Sequence, residues 1–168
     1  MYRIFLMMLL FTGVKVNAQM TAAQKSHWDV DTAVVFSVKS VPVWDQIKET
    51  GKWNEISNGY VQAVTVMGEH PNQTRIVKFA DGKERKDLVS QYQPEYKMIV
   101  LKLADPLPAG IYEGVMAFYV SNKEEGGSEL RITIRVKGDD EPKSALVGQL
   151  KQEAAAYLKG ISDRLSGK

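Results

Sequence analysis

From Tyr60 onward, apolar and polar residues alternate with a period of two. Tyr60 to Met67, Thr74 to Ala80, Glu84 to Gln93, Lys97 to Leu103, Ile111 to Ser121 and Ser128 to Lys137 each read as a strand. An earlier segment, Asp31 to Lys39, has the same pattern, with Val34, Phe36 and Val38 on one face. Asp81-Gly82, Pro94-Glu95 and Gly126-Gly127 separate the later strands, and such short links favour antiparallel hairpins over crossover helices. In the last strand Leu130, Ile132, Ile134 and Val136 oppose Glu129, Arg131, Thr133 and Arg135, so one face is wet.

Two places break the alternation. Val41 to Gly59, VPVWDQIKETGKWNEISNG, reads as two short helices parted at Gly51, each with a tryptophan, Trp44 and Trp53. Pro42 suits the first turn, Val43 and Ile47 share a face, and Lys52 to Ser57 forms the second helix. After Gly138 the period becomes helical. Asp140 is the expected N-cap of a long helix whose Leu146, Leu150, Ala154, Tyr157, Leu158, Ile161 and Leu165 form one apolar stripe. A seven-stranded antiparallel sheet with one apolar face and a helix with one apolar stripe satisfy each other by packing together. The expected class is α+β, with residues 31–168 as one domain. Curled sheets leave room beneath such a helix, and apolar pockets are the usual small-molecule sites.

The first eighteen residues stand apart. Met1-Tyr2-Arg3, an apolar run from Ile4 to Val14, and Val16-Asn17-Ala18 have the form of a signal peptide cleaved after Ala18. The run is short of the about 20 apolar residues that span a membrane, so no stable insertion is expected once it is removed. Residues 19–30 read as a flexible mature N-terminus. The expected location is periplasmic or secreted. Removing the leader also removes the charge excess. The chain holds 22 Lys and Arg against 20 Asp and Glu, and the leader carries Arg3 and Lys15 with no acid, leaving 20 against 20. A nucleic-acid partner loses its basic footprint. With no cysteine, structural disulfides, thiol catalysis and Cys-ligated zinc are excluded.

Candidate chemistry is sparse. His27 and His70 lack the spacing of a metal site or a paired base and read as solvated, and no nucleophile triad or phosphate-cradling glycine loop is present. No catalytic residue, metal or cofactor is assigned. Arg75 shares a strand face with Val77 and Phe79, so it needs a partner. A two-residue Asp81-Gly82 turn would pair it with Leu88 and send Asp87 to the other face. A three-residue loop with Gly82 left-handed would pair it with Val89 and keep Asp87 on its own face, with Gln91 also inward. Phe36, Trp53, Met116, Phe118, Leu150 and Tyr157 are the other candidates to line a cavity, Trp53 at its mouth. A buried Tyr157 hydroxyl would need a partner. Lys123 to Gly127 and Lys151-Gln152-Glu153 read as mixed-sign surface. The terminal helix lacks the basic excess of a membrane-surface helix.

The run VPVWDQIKETGKWNEISNG, followed by RIVKFADGKERKDLV, QYQPEYK, LADPLP and the long terminal helix, resembles the START-like (SRPBCC) superfamily, in particular its polyketide cyclase/dehydrase and lipid-transport branch. The resemblance runs from about Thr32 to Leu165. It implies a helix-grip fold, with the sheet curled around the C-terminal helix and two short helices between strands 1 and 2. It implies Trp44 as a structural anchor and an acidic residue at Asp87, which favours the three-residue hairpin. Members bind lipids, hormones or polyketides, and some catalyse cyclisation or dehydration. The implied function is binding of a small apolar or amphipathic molecule between sheet and helix, with Arg75, Asp87 and Gln91 at its polar end. A cyclase or dehydratase acting on a polyketide-like substrate is the second reading. An accessory domain with a self-filled cavity is the third.

Overall fold

The computed structural model describes residues 27–124 and 126–167. The expected leader, and most of the expected N-terminal tail, lie outside the described residues. β1 (Val30–Phe36) is followed by α1 (Ser40–Ile47) and a 3-10 turn at Thr50–Lys52. The meander β2 (Val61–Met67), β3 (Thr74–Phe79), β4 (Glu84–Gln93), β5 (Met98–Leu103), β6 (Ile111–Asn122) and β7 (Ser128–Gly138) comes next, and α2 (Asp140–Leu165) completes the fold. Neighbouring strands are antiparallel in the order β1-β7-β6-β5-β4-β3-β2. Chain order and sheet order coincide except for β1, which returns to pair with β7. This is the expected seven-stranded helix-grip architecture.

Strand limits follow the alternation to within a residue, except that β1 stops at Phe36, three residues before the expected Lys39. Leu130, Ile132, Ile134 and Val136 are buried, as are Leu146, Leu150, Ala154, Tyr157, Leu158 and Ile161 on the helix. Leu165 is only partly covered. Glu153 departs from the mixed-sign surface expected of it: it is buried. Gly160 also lies on this stripe. A Cβ there would come within 2.2 Å of the Ile56 carbonyl oxygen, so only glycine lets α2 approach the backbone of the preceding loop so closely.

Three boundaries move. The helix expected to run to Gly51 ends at Ile47, and the second helix is the 3-10 turn followed by hydrogen-bonded turns in which Glu55 N–H reaches the Lys52 carbonyl at 3.0 Å. The N-cap of α2 is Asp139 in place of Asp140. The sheet also begins before the tail was expected to end. Asp29 N–H donates to the Ile134 carbonyl at 2.8 Å, and the Asp29 carboxylate accepts the Val136 N–H at 2.7 Å and pairs with Lys143 of α2 at 2.8 Å. Burial alone would raise the Asp29 pKa, but Lys143 and the Val136 N–H outweigh it and hold the carboxyl below its ordinary value. Among the described residues, no helix is long and apolar enough to cross a membrane.

Candidate functional site

The β3–β4 hairpin turns through Ala80, Asp81 and Gly82. Phe79 N–H donates to the Lys83 carbonyl at 2.9 Å, and Gly82 takes φ +82°, the left-handed region. The loop therefore has three residues, but it closes one position earlier than expected because Ala80 belongs to the turn. Arg75 faces Asp87 directly, in place of either Leu88 or Val89, and Val77 faces Arg85. Face parity is the same as in the three-residue alternative, so Arg75 and Asp87 both point into the core and both are fully buried.

Their contact is loose. Arg75 Nη1 lies 3.8 Å from Asp87 Oδ2, beyond hydrogen-bond distance, and none of the three Arg75 nitrogens has an acceptor. Its guanidinium lies instead 4.4 Å from the centroid of the Trp53 ring. Asp87 is claimed by Arg85, two residues earlier on the same face of β4. Arg85 Nε donates to Oδ1 at 2.7 Å and Nη2 to Oδ2 at 3.0 Å. Arg85 also reaches α2, where Nη1 donates to Glu153 Oε2 at 2.6 Å and Nη2 to Oε1 at 2.9 Å. The Tyr157 hydroxyl donates to the same Oε1 at 2.9 Å. Two bidentate pairs on one guanidinium join sheet to helix, an arrangement that a lysine cannot reproduce.

The charges set the protonation states. Burial alone would lower the Arg85 pKa, but the charges and hydrogen bonds of Asp87 and Glu153 carry it well above its usual range. Burial, with the Glu153 charge beside it, drives the Tyr157 phenol well above the ordinary tyrosine value. Tyr157 is therefore a hydrogen-bond donor, and neither group is available as a base.

Trp53 does not stand at a cavity mouth. It has no exposed surface, its Nε1 donates to the Ile47 carbonyl at 2.8 Å, and its ring meets Phe118 at 4.5 Å and Tyr157 at 5.1 Å, both edge-on. Met116, opposite Leu101 and Ile134, and Leu150 are plain core, and Phe36 closes the end of β1 opposite Ser128. Gln91 is exposed, against expectation. A bulge between Val89 and Gln91 inserts Ser90 and reverses the alternation, turning Gln91 outward. His70, expected to be solvated, is half-buried and stacked on Tyr92 at 3.9 Å, and burial lowers its pKa. Trp44 packs at 5.9 Å on the same tyrosine, anchoring α1 to β4.

Trp53, Arg75, Asp87, Phe118 and Tyr157 thus come together, with Arg85 and Glu153 as members that sequence reasoning missed. Both had a signal. Arg85 shares a strand face with Asp87, and Glu153 falls three residues after Leu150 and four before Tyr157, on the stripe itself.

Open space lies beside this cluster. A cleft of about 610 Å³ runs between the β3–β4 hairpin and the first half of α2, with Tyr60, Phe79, Pro108 and Leu146 as apolar walls and Arg85 and Glu153 in its lining. Tyr60 and Phe79 meet edge-on at 5.7 Å, the Tyr60 hydroxyl donates to the Gln149 carbonyl at 3.3 Å, and the Arg85 guanidinium lies 5.2 Å from the centroid of the Phe79 ring. Arg85 retains 14% exposure here, whereas Arg75 has none. Among the described residues, no group of three or more His, Asp and Glu side chains could hold a metal ion.

No protein-family model matches the chain, and no curated protein matches it in sequence. Solved structures do resemble it. Norcoclaurine synthase from Thalictrum flavum superimposes with a TM-score of 0.68 at 13% identity, covering 81% of this chain and 91% of that one. The protein XoxI from Bacillus cereus gives 0.68 at 11% identity, covering 79% and 91%. A protein from Thermobifida fusca gives 0.64 at 18% identity, covering 80% and 91%. At these identities the likeness concerns architecture alone. The chain has the helix-grip fold that these proteins share.

Proposed function

We propose that the protein binds a small amphipathic molecule, with its apolar part between Tyr60, Phe79 and Leu146 and its polar end toward Arg85 and Glu153. The observation that carries this reading is the cleft itself: an apolar-walled space bordered by the one partly exposed guanidinium of a charge cluster that is otherwise buried. The expected site moves outward accordingly, from beneath α2 to beside it. A structure of norcoclaurine synthase in complex with dopamine and hydroxybenzaldehyde supports small aromatic amphiphiles as the ligand class. Membership of the START-like superfamily and its polyketide cyclase/dehydrase and lipid-transport branch fits the same reading.

Binding without catalysis is the better account. A cyclase or dehydratase needs a group that can take up a proton. Here Arg85 occupies both oxygens of Asp87 and of Glu153, and the Tyr157 phenol is kept protonated. The other charged groups of the cleft lining, Asp81, Lys83 and Glu84, stand exposed at its rim. The filled interior favours an accessory domain as the second reading. We place the protein outside the cytoplasm, in the periplasm or the medium, after loss of residues 1–18.

Native mass spectrometry of protein isolated from its own compartment tests all of this. The expected spectrum has a chain beginning at Gln19 with a retained small molecule. Gln149→Trp, an exposed change on the cleft wall, should lose that molecule while keeping the parent melting temperature. An empty wild-type chain supports the accessory reading, and retention by Gln149→Trp contradicts the cleft.

A further inference from the structure

The two edges of the sheet are not alike. β1 carries Asp31, whose carboxylate is bonded to Arg131 at the surface, and charge on an edge strand discourages pairing with another chain. β2 pairs only with β3 among the described residues, and its sequence, VQAVTVM, has no charge and no proline. Val66 is 40% exposed and Met67 50%. Gly51 of the Thr50–Lys52 turn lies against the Val66 side chain, but the strand itself is uncharged, and such an edge is a template for another strand.

The hydrogen-bond pattern shows which of its backbone groups are free to pair. Phe79 N–H donates to the carbonyl of Lys83, the residue before β4, and the Gln73 carbonyl accepts from Val89. Odd-numbered residues of β3 therefore turn their backbone toward β4, and Thr74, Ile76 and Lys78 turn theirs toward β2. Their partners are Met67, Thr65 and Ala63. By alternation, the N–H and C=O of Val64 and Val66 point away from the sheet, at its open edge.

We propose that β2 is a self-pairing edge, through which two copies of this chain join antiparallel about a two-fold axis at Thr65. That register sets Val64 against Val66 of the second copy, twice. All four outward N–H and C=O pairs then find partners, and the two sheets become one. A two-fold axis sets Thr65 against itself, so a charge there would meet its like, and threonine is among the residues that pair well across strands. Ala63 meets Met67. A heterologous partner could tolerate charge on this strand if it carried the opposite sign; a copy of the same strand is matched best by neutrality, which β2 has from end to end.

Sedimentation velocity across the micromolar range should show the mass of the wild-type protein doubling with concentration. Thr65→Lys, at a position exposed on the outer face, should sediment as a monomer with an unchanged melting temperature. Amide exchange in the wild type adds a reading that needs no variant: Val64 and Val66 should slow as the dimer forms, while Thr65 does not change. A wild type that stays monomeric, a dimer that survives Thr65→Lys, or a dimer with unprotected Val64 and Val66 would each overturn the proposal.

Discussion

Glu153→Ala should lower the unfolding free energy by about 3–5 kcal/mol, the usual cost of removing one partner from a buried ion pair. Glu153 is 1% exposed and accepts two hydrogen bonds from Arg85 and one from Tyr157. Without it, the buried phenol has no acceptor and two guanidinium groups face Asp87 alone. The present balance, Arg75 and Arg85 against Asp87 and Glu153, becomes an uncompensated positive charge beneath α2. Glu153→Gln keeps an acceptor and should lose less. Urea unfolding at neutral pH measures both, and because the pair is shielded from solvent the loss should change little with added salt. A loss below about 1 kcal/mol would mean that α2 is held by its apolar stripe alone.

Trp53→Ala should cost a similar amount, about 3–5 kcal/mol for a large aromatic residue truncated in a core that cannot collapse around the gap. The indole is packed by Phe118 and Tyr157, tied to the Ile47 carbonyl, and covers Arg75, whose nitrogens have no acceptor. Truncation removes the ring that faces that cation and leaves a hole shaped for an indole. Added indole should therefore raise the melting temperature of Trp53→Ala by more than that of the wild type, which has only the cleft beside α2 to offer it. Saturation a hundredfold above the dissociation constant would recover about 2.7 kcal/mol. Thermal unfolding with and without indole is the measurement. Equal shifts in both proteins would show that the truncated core closes over the gap and offers indole no further site.

Much of the fold was legible because two periods, 2 and 3.6, mark which side of each element is apolar, and burial acts on that alone. What escaped was of other kinds. The Ser90 bulge adds a residue without disturbing any residue type, so the alternation continued on paper while the backbone turned Gln91 outward. Ala80 is small enough for strand or turn, and placing it in the strand moved the Arg75 partner by one or two positions. Glu153 shares its chemistry with the surface residues Lys151 and Gln152, although its spacing to Leu150 and Tyr157 puts it on the buried stripe. Arg85 is hidden in the same way, as a charged residue between Glu84 and Lys86 on a strand whose composition looks exposed. The tryptophans near Gly51 marked the architecture correctly. That Trp53 fills the centre, in place of standing at an entrance, depends on packing that no single stretch encodes.

The proposed binding mode leaves the interior filled by the protein's own side chains and puts a guest only in the cleft beside α2. Side-chain NMR during titration with the amphiphile 8-anilinonaphthalene-1-sulfonate tests it most directly. Signals from Tyr60, Phe79 and Leu146 should shift, while the Trp53 indole N–H and the Met116 methyl remain still. Shifts at Trp53 and Met116 with an undisturbed Leu146 would place the guest beneath the helix and contradict the account.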